Sequence, residues 1–197
     1  MATNRKDLPD HFYTLEEYFA LEHASDRRYE YWDGDIVCMS GGSQWHSLIS
    51  SNAHFHLQLH LRDGRCRAFT ADLPVKTPTA PPYRYPDVTV GCQPLMFENI
   101  RGVDALINPV LIVEVMSQNS AGRDQDDKFT AYKAISSFSH HLLISQETPK
   151  VTHYARQADD RWMREDVKSL DGAVKLTSIG CTLSLRDIYD GVTFEGA

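Results

Sequence analysis

The sequence predicts a mixed α/β domain, and three observations carry that expectation. Residues 110–115, Val-Leu-Ile-Val-Glu-Val, form an apolar run broken by a single carboxylate, the pattern of a strand covered on both faces. Helical patterns lie before and after that run. The C-terminal third then strings together short β-prone segments at hairpin spacing. With 197 residues, 42% hydrophobic and 24% charged, the chain has a globular balance. We read residues 1–197 as one domain, long enough to bury roughly 70% of its unfolded surface.

Each element has its own local reason. Thr14-Leu15-Glu16-Glu17 is a capping box: the Thr14 hydroxyl can take the Glu17 amide while the Glu17 carboxylate reaches back. Leu15, Tyr18, Phe19 and Leu21 then line one face of a short helix. Tyr29-Glu30-Tyr31-Trp32 and Asp35-Ile36-Val37-Cys38-Met39 flank Asp33-Gly34, the strongest local hairpin signal in the chain. Ser40-Gly41-Gly42-Ser43 reads as a loop. Residues 46–61 read as a helix burying Leu48, Ile49, Ala53, Leu57 and Leu61, ended by Asp63-Gly64. Residues 67–75 and 88–90 read as strands, separated by the breaker-rich stretch 78–82. Residues 96–108 read as a plain connection. Residues 122–134 turn helical, and 142–144, 151–155, 162–167 and 174–176 read as strands. Residues 185–189 close the chain as a short helix.

Composition removes several classes. Twenty Lys and Arg against 27 Asp and Glu leave a net charge of −7, which argues against a generally basic nucleic-acid coat protein. No apolar run approaches the ~20 residues of a bilayer span. Residues 1–10 are polar and lack the apolar stretch of an export signal. Cys38, Cys66, Cys92 and Cys181 form no C-x-x-C pair, so we expect reduced, packing thiols in a cytoplasmic protein.

The chemistry centres on Glu114. A carboxylate inside a core strand is costly unless it is paired or binds a metal. Asp87, directly after Pro86, opens the preceding strand, so two acids on neighbouring strands can converge on one cation. Hard oxygen donors of this kind suit Mg²⁺ or Mn²⁺. Asp124, Lys128 and Tyr132 recur every four residues and share one helix face, which could aim Lys128 at that cation site. A divalent ion neutralises a phosphodiester and lowers the pKa of bound water, and a lysine adds positive charge where negative charge develops.

Pro86-Asp87 followed by Glu114-Val115-Met116-Ser117 resembles the PD-(D/E)xK nuclease signature, with Met116 standing where that superfamily usually has its lysine. The fuller pattern resembles the Uma-two family of restriction endonucleases. It takes in Tyr29-Glu30-Tyr31-Trp32-Asp33-Gly34, His46, Tyr85-Pro86-Asp87-Val88, Val113-Glu114-Val115-Met116-Ser117 and Asp124 through Lys128 to Tyr132, over about residues 13–156. The resemblance implies a restriction-endonuclease-like fold: a central mixed β-sheet flanked by helices, here with an N-terminal β-hairpin and a strand-rich C-terminal extension. It implies a Mg²⁺-dependent endonuclease acting on nucleic acid, DNA before RNA. Asp87, Glu114 and the Val115 carbonyl would hold the metal. Lys128 would replace the lysine missing at Met116, Glu30 would be an accessory acid, and His46 would be a substrate-binding residue. Cutting two antiparallel strands further implies a homodimer.

Each residue also has a plainer reading. Glu114 could be satisfied by an arginine, Lys128 could pair with Asp124, Asp87 could cap a turn, and Glu30 could be a cross-strand partner. Tyr132 reads as packing. Asp72 is a weak further acid. The cluster Arg62, Arg65 and Arg67 reads as a solvated loop before a phosphate track. His140-His141 stands where the family more often has an acid and an aromatic. A catalytically silent nuclease fold that binds nucleic acid is the alternative to an enzyme. A zinc site built on His54, His56 and His60 lacks the H-E-x-x-H pattern or any cysteine pair.

Overall fold

The computed structural model describes residues 11–194 apart from positions 26, 33, 40, 41, 80 and 117–122, with backbone only at 123–126. The polar N-terminal stretch, Asp33, the start of the 40–43 loop, Ser117 and Gly122 therefore lie outside the described residues, as does the Asp124 side chain. Among the described residues no helix is long and apolar enough to cross a membrane.

The capping box forms as read. The Glu17 amide donates to Thr14 Oγ1 at 3.2 Å, the Thr14 amide donates to Glu17 Oε2 at 2.8 Å, and α1 runs over Leu15–Ala24. The hairpin follows as β1 (Tyr29–Trp32) and β2 (Asp35–Cys38). Its alternation sorts its side chains. Tyr29 and Tyr31 enter an aromatic cluster with Tyr18, Phe19, Tyr83 and Tyr85, leaving Glu30 and Trp32 on the other face.

Helix α2 (Gln44–Leu61) starts at Ser43, whose Oγ accepts the His46 amide. Ile49, Ala53, Leu57 and Leu61 are buried as expected, while Leu48 is half-buried. The expected strand 67–75 is two elements instead. β3 (Cys66–Thr70) joins the main sheet, and after a turn β4 (Val75–Lys76) joins a second one with β5 (Tyr83–Arg84).

β6 (Val88–Cys92) leads to an unexpected hairpin, β7 (Phe97–Ile100) and β8 (Val103–Leu106), in the stretch read as a connection. The reason is local: Arg101 and Gly102 both take positive φ, 50° and 92°, the geometry of a tight hairpin turn. The apolar run becomes β9 (Pro109–Met116), followed by α3 (Arg123–Lys133), β10 (His140–Ser145), β11 (Val151–Arg156) and β12 (Trp162–Val167). β13 (Ala173–Leu176) pairs with β14 (Cys181–Ser184), a strand absent from the sequence reading, before the short α4 (Leu185–Ile188).

The central sheet has the order β12-β11-β10-β9-β6-β3. Only β9 and β10 run parallel, and α3 is the crossover between them. β9 thus lies inside the sheet, which accounts for its apolar run. Leu111, Val113 and Val115 face the α2 and α4 side, with Leu142 and Ile144. Ile112 faces the α3 side, packed with Val75, Tyr132, Ile135 and Phe138. By alternation Glu114 shares the face of Ile112.

One expectation is corrected here. Cys66 and Cys92 stand directly opposite on β3 and β6 and are joined as a disulfide, leaving Cys38 and Cys181 as the free thiols among the described residues. Cross-strand register, which sequence spacing does not give, brings them together.

Candidate active site

Four elements meet at the end of β9. The β6–β9 pairing sets Val88 opposite Val113, and continuing it by one residue sets Asp87 opposite Glu114. Asp87 does not merely cap a turn. Its Oδ2 accepts the Val115 amide at 2.7 Å, which locks the carboxylate to the neighbouring strand just where β6 begins. Its Oδ1 lies 3.3 Å from Nε2 of His46, in the first turn of α2. His46 therefore joins the site from the opposite layer.

Glu114 has no arginine partner among the described ion pairs; Tyr132 takes that role. The Tyr132 hydroxyl donates to Glu114 Oε1 at 3.1 Å, so a residue read as packing is both packing and a direct partner of the acid. Burial drives the Glu114 carboxyl up to about 8. The Lys128 charge opposes that shift, whereas Asp87 and Glu30 reinforce it. Burial also holds the Tyr132 phenol well above its ordinary range.

Lys128 comes from α3, on the Glu114 side of the sheet. Its Nζ sits 2.8 Å from Glu30 Oε1 and 5.6 Å from the Trp32 ring centroid. Both Glu30 and Lys128 are largely buried, at 12% and 14% side-chain exposure. Glu30 is thus no cross-strand charge partner: its register neighbour is Val37, and its carboxylate turns to α3. The sequence-derived residues Asp87, Glu114, Lys128, Glu30 and His46 are brought into one neighbourhood, with the Val115 backbone between the two acids.

Other singled-out residues lie elsewhere. Asp72 is exposed and pairs with Arg28. Arg67 Nη1 is engaged by the carbonyls of Leu61, Gly64 and Cys66 at the end of α2, and Arg65 reaches the Gln93 carbonyl. His56 faces Asp187, and His60 Nδ1 contacts the His56 carbonyl. Among the described residues no three or more His, Cys, Asp or Glu side chains form a metal cluster. His140 and His141 are buried. Nδ1 of His140 lies 2.9 Å from His153 Nε2, while His141 sits among Phe129, Tyr132, Phe138 and Tyr154.

The donor chemistry suits a hard divalent ion. Asp87 and Glu114 present carboxylate oxygens, Glu30 adds a third negative charge nearby, and Lys128 is the cation facing them. Burial first, and the Asp87 and Glu30 charges after it, raise the Glu114 carboxyl, and a divalent ion would relieve that crowding of negative charge. Two carboxylates are few donors, and an ion held by so few is ordinarily completed by water and phosphate oxygens.

Comparison with known proteins agrees with this architecture. The chain is 31% identical over 179 residues to the "Uncharacterized protein slr1290" of Synechocystis sp., covering 91% of this chain and 92% of that protein. It is 29% identical over 164 residues to "Uncharacterized protein sll1609" of the same organism, covering 83% of this chain and 92% of that protein. Its fold matches the crystal structure of a "putative nuclease belonging to DUF820" from Anabaena variabilis with a TM-score of 0.70 at 20% identity, over 92% of this chain and 99% of that one. The restriction-endonuclease-like fold expected from the resemblance is therefore present, a mixed central sheet flanked by helices. A sequence model described as "Putative restriction endonuclease" matches residues 15–186, and the chain belongs to that family, Uma2.

Proposed function

We propose that this chain is a divalent-metal-dependent endonuclease that hydrolyses phosphodiester bonds in DNA. The observation that carries the reading is the gathering of Asp87, Glu114 and Lys128, from three separate elements, on one side of β9. Asp87 and Glu114, with the Val115 carbonyl, would hold Mg²⁺ or Mn²⁺. Such an ion, when bound, neutralises the phosphate and makes bound water more acidic. The protein's own groups do the rest. The Val115 amide fixes Asp87, and the Tyr132 hydroxyl fixes Glu114, so neither acid must reorganise when substrate arrives. Lys128 supplies positive charge as water adds to phosphorus and the ester oxygen leaves, and Glu30 holds its ammonium in place. His46, beside Asp87, contacts the substrate. Two copies related by a two-fold axis would serve the two antiparallel strands. We assign the protein to the cytoplasm on the strength of a DNA substrate, since the paired Cys66 and Cys92 lend that compartment no support.

A second reading draws on the ion pair itself. A lysine engaged by Glu30 could leave a fold that binds nucleic acid and does not cut it. Plasmid DNA incubated with Mg²⁺ or Mn²⁺ separates the two. The endonuclease reading expects cutting by the parent and a loss of about 10²-fold or more in both Glu114→Gln and Lys128→Ala. DNA binding by all three proteins with cutting by none would establish the binding module instead.

A further inference from the structure

Arg84 has no role in the chemistry described so far, and its surroundings are unusual. It lies opposite Val75 in the β4–β5 pair, and directly opposed residues point to the same face. Val75 packs with Ile112 and Tyr132, so Arg84 faces the α3 side, whereas its neighbour Tyr83 enters the aromatic cluster beneath α1. Its guanidinium lies over the Trp32 indole, 4.2 Å from the ring centroid, and the Lys128 ammonium approaches the same ring. The Arg84 charge also reaches the Tyr132 phenol, which touches Glu114.

The residue is almost wholly buried, at 6% exposure, yet among the described residues its Nε and Nη1 have no hydrogen-bond partner. Among the described residues no carboxylate forms an ion pair with it, although three acids stand in the adjoining site. Buried guanidinium donors without acceptors are costly, and indole stacking neutralises no charge. Its geometry suits oxygen acceptors on an anion, which the described residues do not provide.

We propose that Arg84 is a phosphate-holding residue of the candidate site, donating from its unpartnered nitrogens to non-bridging oxygens of a nucleic-acid phosphodiester. Trp32 is its platform, fixing the guanidinium plane between β5 and α3. The inference rests on the nuclease reading and adds a residue that grips the substrate.

The test uses the full chain, a fluorescein-labelled DNA duplex, and Ca²⁺ in place of Mg²⁺, with binding followed from low to moderate salt. Arg84→Gln should weaken binding by about tenfold or more at low salt and flatten the salt slope by about one. Arg84→Lys, which keeps the charge but loses the fork, should fall between. In cleavage assays with Mn²⁺ the loss should appear first in KM. A folded Arg84→Gln with parental affinity and salt slope overturns the inference and leaves the nuclease reading standing. Should Arg84→Gln fail to fold, Arg84→Lys carries the test, and parental affinity in it overturns the inference equally. A parent chain that neither binds nor cuts DNA defeats both.

Discussion

Glu114 sets the terms at the residue scale. A carboxyl on an interior strand has two ways to persist: accept a proton or acquire a cation. Here both routes are prepared, because burial favours the proton while Lys128 and the Tyr132 hydroxyl favour the charge. Tyr132→Phe removes the hydroxyl alone and keeps the ring packed against Phe138 and His141. Glu114 Oε1 then loses its donor, which should lower stability by about 1–3 kcal/mol in urea unfolding. The same variant should push the Glu114 carboxyl higher still, moving the rise of cleavage with pH to more alkaline values. An unchanged urea midpoint together with an unchanged pH profile would mean that the hydroxyl does not hold the acid.

At the scale of elements, α2 braces the sheet from the face opposite α3. Leu57 is fully buried between it and the strands, so Leu57→Ala should cost about 2–5 kcal/mol, read from denaturant midpoints. His46 sits on the first turn of this helix, and core damage in α2 should also loosen its contact with Asp87. Elements whose signals are local were legible beforehand. The capping box, the Asp-Gly hairpin and the run of β9 each declare themselves within a few residues. The β7–β8 hairpin hid because Arg101 occupies a turn position where Asn or Asp usually signals positive φ, and β7 is mostly exposed. The same division holds in the site. Asp87, Glu114 and Lys128 were visible because each breaks or extends a local pattern, and the four-residue step from Lys128 already put Tyr132 on its face. Arg84 was missed, and Trp32 stood out only as part of the family pattern with no role, since their meaning depends on which face of β5 and β1 turns toward α3. The disulfide was missed for the same reason, being a fact of register between β3 and β6.

For the molecule as a whole, buried titratable groups of opposite habit fix how stability varies with pH. Burial lowers His140 to about 4, His141 to about 3, and His153 as well, all from an ordinary value of 6.5. The folded chain therefore binds fewer protons than the unfolded chain below pH 6.5. Their contribution is complete above that pH and is lost as the pH falls toward the folded values. Glu114 behaves in reverse. Its folded value of about 8 against an ordinary 4.5 means the native state keeps a proton that the unfolded chain releases, so stability declines as pH rises through that interval. Between 4.5 and 6.5 His140 and His141, joined by His153 in the same direction, oppose one acid and the histidines prevail; from 6.5 to 8 Glu114 sets the slope among these groups. Metal-free protein in EDTA should thus be most stable near pH 6.5, with an alkaline decline of up to ~1.4 kcal/mol per pH unit. Glu114→Gln should abolish that decline while leaving the acid limb in place, and millimolar Mg²⁺ should flatten it in the parent by favouring the ionised carboxyl. Urea midpoints measured across this range decide the matter: a parent whose metal-free stability stays level or climbs between pH 6.5 and 8 has no such acid buried against its sheet.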